Sequence, residues 1–143
     1  MVPIRYPSSS PARRVSARRR TGLATAELAL TLPILLIVLM AIFEFSLLFL
    51  ARGELVDASR EGARVAALPG ANQESVEWAV RENVAPRFRN AVVVDVSGGA
   101  QSGDVITVAV RVPMRSASPD LLWPVGYSLK DQTLVAETRI LRE

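Results

Sequence analysis

The chain has 143 residues, 50% of them hydrophobic, and a formal net charge of +3. Its length allows one small domain, and its hydrophobic fraction favours a membrane segment as well. It contains no cysteine and no histidine, so disulfides, cysteine metal sites, thiol nucleophiles and histidine general bases are excluded. Residues 1–22 carry six arginines and no acid, while the rest of the chain carries 11 basic and 14 acidic side chains. A nucleic-acid-binding protein needs its basic surface on a folded domain, and this distribution argues against that function.

Residues 1–22 form the first predicted segment, a basic leader. Prolines, serines and arginines dominate it, and this composition is typical of disordered chain. An apolar run follows from Leu28 to Ala51, and the residues that interrupt it are Thr31, Pro33, Glu44 and Ser46. A helix of about 20 apolar residues crosses a hydrocarbon core of roughly 30 Å. We therefore predict a transmembrane helix over residues 23–51.

The charges on the two sides of the apolar run predict its orientation. Arginines crowd the N-terminal side, whereas acidic residues accompany Arg52 on the other side. The positive-inside rule then predicts a cytoplasmic leader and an extracytoplasmic segment over residues 52–143. A cleaved secretory signal peptide is an alternative, but its apolar region, about 7–15 residues, is shorter than this run. A plain signal anchor also explains the orientation, although it gives no reason for Gly22 or Glu27.

Glu27 stands at the N-terminal edge of the apolar run, where a carboxylate needs either a partner or the lipid headgroups. Cleavage of the chain after Gly22 would create a partner, because it frees an α-amino group on Leu23. Glu27 lies four residues after Leu23, which is one helical turn. The amine and the carboxylate can pair within one subunit or between neighbouring subunits.

The sequence "GLATAE" resembles the processing signal of type IV prepilins, in which a basic leader ends at a glycine and a glutamate is the fifth mature residue. The longer stretch over residues 22–67 resembles the TadE-like family, the minor pseudopilins of the tight-adherence (Flp-type) pilus machinery. The features that carry this resemblance are Glu27, Leu32-Pro33, Glu44-Phe45 and the "SREGAR" sequence of residues 59–64.

The resemblance implies cleavage after Gly22 by a prepilin peptidase and a role in helix assembly for Glu27, Pro33 and Glu44. The implied partners are the lipid bilayer, the peptidase, the major pilin and other pseudopilins, and the pilus motor with its membrane platform. The implied location is the cytoplasmic (inner) membrane, with a single pass, and incorporation into a surface pilus that serves cell adhesion stays open. For Pro33 the alternative is an ordinary membrane proline that kinks or loosens the helix. For Glu44 it is a side chain that reaches the far interface.

The sequence "RGELVDASREGARVAA" predicts that the helix continues outside the membrane over residues 52–69, as far as Pro69-Gly70. Mostly small residues share one face, which lets helices approach closely; they are Leu55, Ser59, Gly62 and Ala66. The spacing also predicts the ion pairs Asp57–Arg60 and Glu61–Arg64. The resemblance adds a possible docking role for Arg60, Glu61, Gly62 and Arg64, and the alternative is a solvated helix face.

Residues 70–143 predict a small outer domain. Asn72 can cap a second helix over residues 73–85, whose apolar stripe is Val76, Val80 and Val84 with Ala79 alongside. In three runs, apolar residues recur at every second position, which predicts antiparallel strands over residues 91–97, 104–113 and 133–141. Between the last two strands lies an unusually apolar loop, predicted to cap the core or to contact a neighbouring subunit; its apolar residues are Leu121, Leu122, Trp123, Val125 and Tyr127.

The predicted fold class is therefore α+β: a membrane-anchored, pilin-like chain with a long transmembrane and stalk helix, a second helix and an antiparallel sheet of about three strands. The predicted function is that of a minor pseudopilin in the assembly of a tight-adherence pilus. The alternative is an uncleaved single-pass anchor with an extracytoplasmic protein-binding domain. We predict no enzyme, because no catalytic, cofactor-binding or metal-binding group of residues can be named.

Overall fold

The structure is a computed structural model that describes residues 18–99 and 101–142 and, within the first helix, the side chains from Gly22 onward. The predicted α+β class is confirmed, with a long apolar N-terminal helix, a second helix and a three-stranded antiparallel sheet. The chain divides into two compact units between Leu36 and Ile37. The described part of the first unit is helical, and the second unit holds the rest of that helix and all other elements.

Helix α1 runs over Arg18–Ala66 and is longer at its start than predicted. It begins four residues before Gly22, so the last part of the predicted disordered leader is helical, and the rest of that leader lies outside the described residues. Arginine is a good helix former and no proline separates Arg18 from the apolar run, which explains the extension. At the other end α1 stops at Ala66, before the Pro69-Gly70 pair, where Gly70 has φ +81°.

Pro33 lies inside α1 without interrupting it. Proline has no backbone N–H, so it cannot donate the helical hydrogen bond to the carbonyl of Ala29. Two residues earlier, the hydroxyl of Thr31 donates to the carbonyl oxygens of Glu27 at 3.1 Å and Leu28 at 3.2 Å, which are not the carbonyl that Pro33 leaves free. Proline is tolerated inside membrane helices.

Helix α2 spans Gln73–Asn83 and begins at the predicted cap. The side chain of Asn72 accepts a hydrogen bond from the backbone N–H of Ser75 at 2.8 Å, and the Ser75 hydroxyl accepts one from the N–H of Asn72. These two bonds satisfy backbone donors that the first helical turn leaves free. The predicted apolar stripe, Val76, Ala79, Val80 and Val84, is buried. A short 3-10 helix over Pro86–Phe88 follows.

Three antiparallel strands form one sheet in chain order: β1 over Val93–Gly98, β2 over Val105–Pro113 and β3 over Thr133–Leu141. In the register Val94 is opposite Val110, which is opposite Ala136. Alternate residues therefore point to the same face across all three strands. The covered face holds the predicted apolar residues, among them Ile106, Val108, Val110, Val112, Leu134 and Ala136.

The core of the second unit lies between this sheet face, α2 and the C-terminal part of α1. α1 contributes small residues and one leucine to it, which are Ala51, Leu55, Ala58, Ala63 and Ala66. The hydroxyl of buried Ser59 donates to the carbonyl of Val56 at 2.8 Å and lies 2.7 Å from the hydroxyl of half-buried Thr138 on β3, so its polar group is satisfied at this contact. The small-residue face predicted for α1 thus packs inside its own subunit.

Candidate functional site on the first helix

The predicted processing site and Glu27 lie close together on α1. Gly22 and Leu23 are helical and exposed, and Glu27 is exposed one helical turn after Leu23. A side chain built at Gly22 would meet nothing within 4 Å. The predicted cut site and the carboxylate of Glu27 therefore share one short, accessible stretch of helix.

From Leu23 to Phe43 the surface of α1 is apolar and largely exposed. Twelve leucine, isoleucine, valine and phenylalanine side chains in this segment are exposed, far more than a soluble surface carries. Within the part of the chain that the structure describes, the helix over Gly22–Ala66 is long and apolar enough to cross a membrane. The 21 residues from Leu23 to Phe43 would rise about 31 Å along a helix, close to the roughly 30 Å of a hydrocarbon core.

Glu44 marks the point where the surroundings of α1 change. Its side chain is fully buried, and the buried positions Leu48, Ala51 and Leu55 follow it on the same helix. One carboxylate oxygen, Oε2, accepts a hydrogen bond from the backbone N–H of Leu122 at 3.0 Å. The other oxygen, Oε1, has no hydrogen-bond partner among the described residues. The structure thus gives Glu44 a partner within its own subunit, and the helix-assembly role expected from the resemblance stays a prediction.

The loop over residues 121–127 contacts Glu44 through the backbone N–H of Leu122. Leu122 and, just after the loop, Leu129 are buried, which agrees with the predicted capping role. Trp123, Val125 and Tyr127 remain exposed, which agrees with the alternative. The loop therefore covers the core with its leucines and presents its other apolar side chains outward.

Phe45 provides a second contact between α1 and this loop. Its ring centroid lies 6.1 Å from that of Tyr127, with the ring planes at 49°. Tilted aromatic pairs at this distance are favourable. An apolar groove runs beside the pair, lined by Phe45, Leu48, Phe49, Arg52, Met114, Tyr127 and Leu134.

The charged residues of the predicted docking motif form the ion pairs that the sequence predicts. Arg64 donates from Nε and Nη2 to the two oxygens of Glu61 at 3.0 and 2.5 Å, and Arg60 lies 3.5 Å from Asp57. The hydrogen bonds from Arg64 lower the pKa of Glu61 below its ordinary value. The same bonds raise the pKa of Arg64. Both pairs lie in solvent, so they contribute little to stability.

Gly62 has a different position from its charged neighbours. It is buried, and a Cβ at this residue would lie 2.6 Å from Cγ2 of Val80 and 3.4 Å from side-chain atoms of Val76 and Val108. Gly62 therefore lets α1 approach α2 and β2 closely. Of the four residues expected to dock, Arg60, Glu61 and Arg64 face outward or are half-buried, while Gly62 belongs to the core.

Sequence reasoning missed the pairing of Glu44 and Phe45 with the 121–127 loop. The sequence predicts an unusually apolar loop that caps the core or contacts a neighbour, and it leaves Glu44 with a helix-assembly role or a place at the far interface. The 78 positions that separate Glu44 from Leu122 left no periodic signal to join them. The donor is also a backbone N–H, which no residue type reveals.

A comparison with known protein families finds one match on this helix. The family described as TadE-like protein matches residues 22–64, the stretch from the predicted cut site to the end of the "SREGAR" motif. The chain matches no curated protein and no solved structure. The family match and the apolar helix fit a membrane protein associated with a tight-adherence pilus system. Residues 22–64 therefore form a TadE-like segment, and the resemblance expected from the sequence is confirmed over the helix that carries Gly22, Glu27 and Glu44.

Proposed function

We propose that the protein is a minor pseudopilin, processed after Gly22, that takes part in the assembly of a tight-adherence pilus. One observation carries the proposal: the TadE-like match over residues 22–64 falls on a helix whose surface from Leu23 to Phe43 is apolar and exposed. A bilayer covers such a surface in the membrane, and neighbouring pilin helices cover it in a filament.

The transmembrane span in this proposal runs over residues 23–43 and is shorter than the 23–51 that the apolar run alone predicts. Glu44, Leu48 and Ala51 support the shorter span, because the folded outer part of the subunit buries them. Residues 44–66 then form the part of α1 that anchors the outer domain. The leader lies in the cytoplasm and the outer domain outside it, as the arginine distribution favours.

The role of Glu27 in this proposal is to pair with the α-amino group that cleavage frees on Leu23. A carboxylate at the apolar edge of a bilayer is stabilised by a nearby positive charge. When two subunits pack side by side, the same pair can form between them and fix the register of one helix against its neighbour. The partners are then the prepilin peptidase, the major pilin, other pseudopilins and the motor with its platform.

An uncleaved single-pass anchor is the second candidate function, and one observation favours it. α1 is helical from Arg18 through Gly22, so the peptide bond after Gly22 lies inside a regular helix. A peptidase has to unwind that turn before it can cut. In this candidate the outer domain binds another protein and Glu27 contacts lipid headgroups.

Replacing Glu27 tests the assembly role. In a host that encodes the remaining pilus proteins, we expect Glu27→Ala to insert normally into the membrane and to abolish piliation. The amount of chain in the membrane fraction and the amount of sheared pilus protein are the two measurements.

Thr31→Ala is the matched control, because Thr31 lies one turn later on the same exposed helix and its hydroxyl donates to backbone carbonyls of that helix, those of Glu27 and Leu28. It should leave piliation normal. Unchanged piliation in Glu27→Ala would make Glu27 a simple membrane-edge residue.

A further inference from the structure

The 121–127 loop is held in one conformation by its own hydrogen bonds. The carboxylate of Asp120 accepts from the hydroxyl of Ser128 and the backbone N–H of Leu129, both at 3.0 Å. Across the loop, the N–H of Tyr127 donates to the carbonyl of Leu122 at 3.3 Å. Gly126 supplies the left-handed turn, with φ +91°. These bonds and the turn at Gly126 define the backbone path of the loop.

Those side chains are apolar and face outward. Trp123 is 67% exposed, Val125 52% and Tyr127 38%, and residues 121–127 contain no charged side chain. Leu122 and Leu129, by contrast, are buried. An uncharged loop that exposes an indole, a valine and a phenol marks a surface that is covered in the working protein.

The loop lies beside the part of α1 where the exposed apolar surface ends. Leu122 bonds to Glu44, and Tyr127 contacts Phe45. The residues just before Glu44 include exposed Ile42 and Phe43, and exposed Phe49 follows in the groove beside the loop. The apolar surface of α1 thus continues without a charged gap onto the loop.

The composition of this surface matches a membrane–water interface. Tryptophan and tyrosine concentrate at the headgroup level, where the ring is apolar and its N–H or O–H remains hydrated. Arg52 lines the neighbouring groove, where a basic side chain attracts the phosphates of lipid headgroups. Beside the loop itself, Lys130 is accompanied by Asp120 and Asp131, so the match to the interface rests on the aromatic and apolar side chains and not on net charge.

We infer that residues 121–127 form a membrane foot, which places Trp123, Val125 and Tyr127 in the headgroup region of the bilayer that α1 enters. The inference rests on the proposed function, since it needs α1 to span that bilayer. Glu44 would link the foot to α1, because its carboxylate holds the loop against the helix.

Fluorescence depth measurements test the foot on the full-length chain in phospholipid vesicles. The chain has two tryptophans, so Trp78→Phe leaves Trp123 as the reporter and Trp123→Phe leaves Trp78 as the control. Trp78 is a matched control, because it is 68% exposed and lies in a polar groove on α2 with Asn72, Glu74 and Ser75. The vesicles contain phosphatidylcholine and phosphatidylglycerol, with or without a nitroxide on the headgroup.

We expect the headgroup nitroxide to remove most of the Trp123 emission, which should also be blue-shifted, and to leave the Trp78 emission unchanged. Aqueous iodide should quench Trp78 and spare Trp123. If iodide quenches both tryptophans equally while the nitroxide quenches neither, the foot does not exist.

Three outcomes would each overturn the inference in a different way. Shielding of Trp123 from both quenchers, dependent on the protein-to-lipid ratio, would identify a second copy of the chain as the partner. A chain that leaves the vesicles in alkaline carbonate would refute the membrane span itself, and with it the foot. A chain that stays in the vesicles but keeps Trp123 in water would refute the foot alone.

Discussion

At the scale of single residues, Glu44 connects α1 to a distant loop, because a backbone N–H 78 positions later in the chain donates a hydrogen bond to its buried carboxylate. A buried carboxylate is tolerated only where hydrogen bonds replace its hydration. Oε2 accepts such a bond from Leu122, while Oε1 has no partner among the described residues. The acid is therefore half satisfied within the subunit, and its structural role is to hold the 121–127 loop.

Replacing Glu44 should loosen that loop. In Glu44→Ala the N–H of Leu122 loses its acceptor, and leaving such a donor buried costs about 1–3 kcal/mol in the free energy of unfolding. We expect faster hydrogen exchange at the Leu122 amide, measured by NMR on the chain in detergent micelles. Glu44→Gln should change it less, because the amide oxygen can still accept the bond.

Glu54→Ala is the control for the loss of a carboxylate on α1. Glu54 forms a surface pair with Arg87 at 2.9 Å, which contributes less than about 1 kcal/mol. This variant should leave exchange at Leu122 unchanged. Normal protection of Leu122 in Glu44→Ala would contradict the role given to Glu44.

At the scale of elements, the contact between α1 and α2 depends on a glycine, Gly62, at the point where the two helices meet. Gly62 packs against Val80, a stiff β-branched residue that is itself fully buried. Neither residue can move away without disturbing the core, since protein interiors are close-packed. The glycine of the "SREGAR" motif is thus required by packing within the subunit.

Gly62→Ala should destabilise the outer domain, although alanine is the better helix former. The added methyl group would overlap Val80, and overpacking of this kind costs about 1–3 kcal/mol. Urea unfolding followed by circular dichroism measures the change. Gly53→Ala is the matched control on the same helix, because its Cβ would meet nothing within 4 Å and alanine gains up to about 1 kcal/mol there.

A double variant identifies the clash directly. The double variant Gly62→Ala, Val80→Ala should lose less stability than the sum of the losses in the two single variants, because the smaller side chain at position 80 makes room for the added methyl group. Strictly additive losses would mean that Gly62 and Val80 do not compete for the same space.

The sequence predicted the elements well because each has its own local signal. Asn72 capped α2 as predicted, and the period-two valines of β1 and β2 lie on the buried face of the sheet. Helix ends were less predictable: α1 includes Arg18–Gly22, because three arginines favour a helix there and the predicted cut after Gly22 need not coincide with a fold boundary. The small face of α1 was recognised, but periodicity alone could not tell packing within the subunit from packing between subunits.

At the scale of the whole molecule, the unforeseen feature is the junction between α1 and the outer domain. Glu44, Phe45 and Leu48 were assigned to the membrane by composition, whereas the structure packs them with residues from the last third of the chain. Hydropathy measures how apolar a segment is and does not reveal what covers it. This junction moves the outer end of the proposed span from residue 51 to residue 43.

In the proposed function, the TadE-like segment becomes the N-terminal helix of a processed pilin-type subunit. Intact-mass measurement of the chain extracted from membranes, with and without the cognate prepilin peptidase, tests whether this processing occurs. Gly22→Val is the control, because the site has open space for a side chain and only the cut should be affected. We expect a chain that begins at Leu23 when the peptidase is present, and a full-length chain in its absence or in the variant. A full-length wild-type chain in cells where the same peptidase cleaves the major pilin would rule the processing out.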